Sequence, residues 1–226
     1  MSLEPLFPSA GTWRREHSGG YARALTTGFA ELDDLLPAGG WPQAALTEIL
    51  LADRGIGALR LLMPLLTALS HEDRWICWVA PPQRPCSPAL AAAGVDLSRV
   101  LMVSPGPRQD GLWVVEQALR SGRCAAVLAW PAIDDGVALR RLQLAAQAGD
   151  AMGFLFRSQQ VAARPSPAAL RILLDTHSDG NLSVSLPRRR GGRGSGSVHL
   201  DTGLPHNVLA RHARHAGSGS LARNWQ

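Results

Sequence analysis

From Leu46 onward the chain alternates short apolar runs with amphipathic stretches. The runs at residues 46–52, 75–80, 99–104, 124–130 and 152–157 are too short for helices and are bounded by breakers. They read as strands buried on both faces, as in a parallel sheet. Helical spacing falls between them, at 56–70, 87–93, 111–121 and 136–148. Asp110 and the pair Asp134-Asp135 supply N-cap side chains for the last two, and Gly122 supplies a stop after the first of these. Four repeats of strand then helix predict an α/β fold with right-handed crossovers. After Pro165 and Pro167 the period changes. Residues 170–176 and 181–187, joined by His177-Ser178-Asp179-Gly180, predict an antiparallel hairpin on the sheet's edge.

The chain's two ends lack this pattern. Residues 1–24 form a lead-in of Pro, Gly, Ser and charge, residues 25–187 the expected domain, and residues 188–226 an expected flexible arm. The arm carries Arg188, Arg189, Arg190, Arg193, Arg211 and Arg214, and holds seven arginines against Asp201 alone. The whole chain has a formal net charge of +5, so its basicity belongs to this arm. These arginines are candidates for contact with DNA phosphates, without base readout; the alternative is a solvated, solubilising arm. His206, His212 and His215 lack a four-ligand set, and no metal site is expected.

At 226 residues one domain with tails is the natural division. The longest apolar stretch, 56–69, is interrupted by Arg60 and Pro64 and is too short for a membrane span. Met1 is followed by Ser-Leu-Glu-Pro, which is not a signal peptide, and Cys77, Cys86 and Cys124 form no CxxC pair. A cytoplasmic protein without membrane contact is expected, with the cysteines as small core residues.

All 23 basic residues are arginine. The absence of lysine removes Schiff-base chemistry, a Ser-Lys dyad and the P-loop ammonium. The loop after the first long strand shows what this means. On the pattern G-x-x-x-x-G-K-[ST], the first glycine is Ala52, the second Gly57, the lysine Ala58 and the hydroxyl Leu59, with Gly55 as a further turn residue. Asp53 adds the wrong charge for a phosphate. Trp130-Pro131 stand where a Walker B acid would end its strand, and Ala80-Pro81-Pro82 where a general base would follow another. A non-enzymatic protein with a degenerate loop and no cofactor is expected.

With these residues in view, Thr27-Gly28-Phe29-Ala30-Glu31-Leu32-Asp33, Gly39-Gly40-Trp41-Pro42 and Gly94-Val95-Asp96-Leu97 resemble segments of the RecA-like family. Further segments resemble the ImuA family of SOS mutagenesis, a relative of the SulA division inhibitors. They include Glu48-Ile49-Leu50-Leu51, Val79-Ala80-Pro81-Pro82, Leu119-Arg120-Ser121-Gly122, Leu139-Arg140-Arg141-Leu142-Gln143 and Pro165 to Arg171. The resemblance implies a RecA-like, mostly parallel sheet with flanking helices. It also implies a non-catalytic accessory of translesion DNA synthesis and DNA repair, docking on RecA or ImuB or both and indirectly on a DnaE-type polymerase; single-stranded DNA is a candidate partner of the arginine-rich arm.

Two other readings remain open. One is a SulA-like inhibitor that binds FtsZ, and the other is a residual nucleotide-binding enzyme using Arg54. Trp41, between Gly40 and Pro42, and Trp113, beside core-facing Leu112, are candidate partner anchors. Trp75, Trp78 and Trp130 are expected in the core.

Overall fold

A computed structural model describes residues 14–15, 23–52, 58–106, 110–131, 133, 135–177, 181–187 and 196–202. The apolar runs become β4 (Leu46–Leu51), β5 (Trp75–Val79), β6 (Val100–Val103), β7 (Cys124–Ala129) and β8 (Met152–Ser158). β9 (Leu170–Thr176) and β10 (Leu182–Ser185) form the hairpin, and β11 (Ser197–Leu200) follows. These eight strands make one sheet in the order β11-β10-β9-β4-β8-β7-β5-β6. The six from β9 to β6 are parallel, whereas β10 runs antiparallel to both of its neighbours. Three two-residue strands, β1 (Arg14–Arg15), β2 (Ala24–Leu25) and β3 (Trp41–Pro42), pair separately.

Helices α1 (Ala30–Leu35), α2 (Leu59–Ser70), α3 (Ser87–Ala92), α4 (Gly111–Arg120) and α5 (Gly136–Ala148) connect the strands. The alternation of strand side chains divides the core in two. Ile49, Ile76, Leu128, Phe154 and Ile172 face α2, whose residues from Leu59 to Leu66 are all buried. Cys77, Val127 and Leu155 face α4 and α5 through Val115, Leu119, Leu139 and Leu142. Asp110 and Asp135 do cap α4 and α5, accepting from the backbone N–H of Leu112 and Val137.

Two expectations need correction. The sheet is mixed, and it runs past Pro187: β11 lies inside the segment read as an arm and pairs with β10 from Leu182↔Leu200 to Ser185↔Ser197. Gly, Ser and Arg around Ser197–Leu200 hide a four-residue alternation that the hairpin's open edge completes. The degenerate loop is only partly described. Ala58 and Leu59 are packed in the α2 core and Ala52 is exposed, while Gly55 and Gly57 lie outside the described residues. Trp75, expected in the core, is 39% exposed.

One ionic cluster sits between β8, β4 and β9. Glu48 has no exposed surface; Arg157 donates to its Oε1 and the Nε of Arg171 to its Oε2 at 2.5 Å. The remaining guanidinium N–H groups reach carbonyl oxygens: Arg157 that of Ile133, and Arg171 those of Val161 (3.0 Å), Ala162 (3.2 Å) and Arg164 (2.8 Å). Two cations thus share one carboxylate, and the carbonyl dipoles satisfy the excess. Replacing Glu48 by Gln leaves two guanidiniums without a counter-ion. Urea unfolding of Glu48→Gln is expected to show a loss of about 3 kcal/mol or more, the range for breaking a buried ion pair. A loss below about 1 kcal/mol, as for an exposed pair, would refute this role.

Candidate interaction surface

The signature residues that look chemical in the sequence mostly serve the fold. Asp33 is buried and accepts from the backbone N–H of Thr27 at 2.7 Å and from the hydroxyl of Thr26, which fixes the turn into α1. Trp41 is wholly buried and meets Phe154 edge-on at 5.6 Å, so it is not a surface anchor. Trp130 stacks on Phe156 at 4.5 Å and lies 6.1 Å from Trp78, an aromatic group at the carboxyl ends of β7, β8 and β5. Arg188, Arg189, Arg190, Arg193, Arg211 and Arg214 lie outside the described residues, as do His206, His212 and His215. Among the described residues no three His, Cys, Asp or Glu side chains form a metal site.

Among the described residues, the large exposed apolar side chains other than Trp75 fall in two places. The first is β6, the edge strand of the sheet. Its outer hydrogen-bonding edge pairs with no other described strand, and Leu101 (45%), Met102 (43%) and the preceding Leu97 (38%) are open to solvent. Leu101 and Met102 point to opposite faces, so both sides of the edge are apolar. Arg74 and Arg99 frame this end, Arg99 with Asp73 at 3.6 Å and Arg74 with Asp150 at 3.6 Å. A short edge strand without charge or proline is open to strand addition. The second place is the outer surface of α4 and α5, where Trp113, Val137 and Leu144 are exposed.

The edge strand is absent from the expected site residues because an apolar run on an edge looks like one in the sheet centre. Its brevity is the available signal: only four residues lie between Arg99 and Ser104. Trp113, by contrast, is exposed as its place beside Leu112 suggests.

Comparison with known proteins decides the family. Residues 44–153, from just before β4 into the start of β8, match the family model "SulA: Cell division inhibitor SulA". The cell division inhibitor SulA of Photorhabdus laumondii is 36% identical over 120 residues, covering 53% of this chain and 68% of that protein. This chain belongs to the SulA family. SulA of Serratia marcescens is 30% identical over 124 residues, covering 54% of this chain and 72% of its own length. SulA of Cronobacter sakazakii is 39% identical over 102 residues, with 44% and 60% covered. The solved structure of SulA from Pseudomonas aeruginosa is similar at 31% identity and TM-score 0.41, covering 50% of this chain and 97% of that one.

The RecA-like P-loop and ImuA assignments are therefore corrected to SulA, and with them translesion synthesis and the partners RecA, ImuB, DnaE-type polymerase and single-stranded DNA. The segments that carried the resemblance do not separate the families on physical grounds. Glu48 and Arg171 form the ionic cluster, Gly122 turns the chain at φ +67° and Arg141 pairs with Glu116. Residues with such duties report the fold rather than the partner. The matched relatives are named cell division inhibitors, and no helix among the described residues is long and apolar enough to cross a membrane.

The cysteines are core residues in two cases. Cys77 and Cys124 are buried side by side; the Cys77 S–H donates to the Cys124 sulfur, which holds Cys124 down to about 7 and pushes Cys77 up. Cys86, half-buried at the start of α3, is the accessible thiol. An aromatic disulfide reagent is expected to label Cys86 first in the native protein and the other two only on unfolding. Equal labelling of all three in the folded state would contradict this packing.

Proposed function

We propose that this protein inhibits bacterial cell division in the cytoplasm by binding FtsZ through the open β6 edge. What supports the reading is the conjunction of SulA-family membership with an uncovered apolar edge that lies inside the matched segment, residues 44–153. The main-chain N–H and C=O groups of β6 supply affinity by strand addition, and Leu97, Leu101 and Met102 supply the apolar contact. Arg74 and Arg99 orient the approach, since charges at a rim set register and on-rate more than affinity.

Inhibition by occupancy needs no catalytic group. A bound inhibitor withholds its target in proportion to its own amount, so potency follows concentration and the dissociation constant. The buried cluster around Glu48 serves this indirectly, by holding the sheet whose edge is presented.

Production of the protein in a rod-shaped bacterium is expected to give filamentous cells, and the purified protein to retain FtsZ in a pull-down. Leu101→Asp places a charge on the edge and is expected to weaken retention roughly tenfold or more, as for a central interface residue. Normal division with no FtsZ retained by the unaltered protein would overturn the proposal. Unchanged binding by Leu101→Asp would remove the edge from it.

A further inference from the structure

Strands β5 and β7 pair in parallel with one break in register: Trp75 lies opposite Cys124, but Ile76 lies opposite Ala126. Ala125 is therefore an extra residue, a bulge at the start of β7. The bulge sets the direction of Cys124. Ala126 and Leu128 pack in the core on the α2 side, and unbroken alternation would send Cys124 there with them. Instead Ala125 takes the α2 side, and Cys124 joins Cys77 in the core on the side of α4 and α5.

The result is two free thiols on neighbouring strands, Cys77 1% and Cys124 6% exposed, facing the same side of the sheet. The Cys77 S–H donates to the Cys124 sulfur, so the two donor atoms meet. Their backbones stay apart. Cys77 stands two residues along β5 from Trp75, about 6.6 Å along the strand and about 4.8 Å across, so the α-carbons are about 8 Å apart. That exceeds the limit of about 7 Å for a disulfide. A linear bridge through a metal ion needs only that the sulfurs stand about 4.6 Å apart, twice a metal–thiolate bond of about 2.3 Å. Such a bridge fits a pair that a disulfide does not.

The number of ligands narrows the choice of ion. Among the described residues no third His, Cys, Asp or Glu joins the pair. Zinc takes four ligands in a structural site and three protein ligands in a catalytic one, whereas soft monovalent copper is satisfied by two thiolates. We propose that Cys77 and Cys124 form a two-coordinate site for cuprous copper, entered from the rim of the sheet at Cys124. Binding expels both thiol protons and leaves one net negative charge on the bridge. Arg74, paired with Asp150 at 3.6 Å, lies within electrostatic reach of Cys124 and offsets part of that charge. The site is inside the sheet and stands whether or not β6 takes FtsZ.

The test is an anaerobic titration of the reduced full chain with Cu(I), with bicinchoninate as the competing indicator. The unaltered protein and Cys86→Ser are each expected to take one copper per chain from the indicator, and Cys77→Ala and Cys124→Ala none. Excess Zn(II) is expected not to displace the copper. Bound copper is also expected to raise the thermal midpoint of the unaltered protein and to leave that of Cys77→Ala unchanged. Because a core substitution can unfold the chain, the copper K-edge absorption spectrum of the unaltered protein gives an independent reading, in which two sulfur neighbours and no nitrogen are expected. Failure of the unaltered protein to take copper, copper retained by folded Cys77→Ala or Cys124→Ala, or copper lost with Cys86→Ser overturns the proposal. So does a nitrogen or a third sulfur in the spectrum, or a copper-dependent doubling of mass, which places the ion between two chains.

Discussion

A carboxylate with no exposed surface lies at the middle of the sheet, and two guanidiniums from strands far along the chain converge on it. Each partner arrives with a stretch of backbone. Arg157 holds the carbonyl oxygen of Ile133, between β7 and α5, and Arg171 holds three carbonyl oxygens from the connection between β8 and β9. The parallel pairing of β4 with both β8 and β9 is thus locked by side chains as well as by the ladder. Burying three charges is costly, and the value of such a cluster lies in register: a shift by one residue would carry Glu48 to the α2 face and away from both arginines.

Arginine suits this work better than lysine. Each guanidinium has five N–H donors in a planar fork, enough to serve a carboxylate and several carbonyls at once, where an ammonium has three. The absence of lysine, which in the sequence speaks only against catalysis, is compatible with a core built on arginine. The same preference recurs on the surface, where Arg120 and Arg141 share Glu116.

The fold and its surfaces differ in how far they can be read from residues alone. Apolar runs and the caps Asp110 and Asp135 mark the strands and helices closely, because period and capping are local properties. β11 escapes notice because its pairing partner, not its own composition, makes it a strand. Edge position is likewise a property of topology, so Leu101 and Met102 look the same as residues in β7. Trp41 and Trp113 both look like surface anchors, and only packing separates them: one lies under α2 against Phe154, the other outside α4. The recognisable family segments are those the core constrains most, so they report the fold before the partner.

The central claim is that a rigid, non-catalytic sheet presents an edge that removes FtsZ from assembly. Light scattering of purified FtsZ with GTP tests it most directly, with increasing amounts of this protein added before polymerisation. The account predicts that the scattering plateau falls in proportion to the added protein and recovers when Leu101→Asp is used instead. Full polymerisation in the presence of an equimolar amount of the folded, unaltered protein would contradict it.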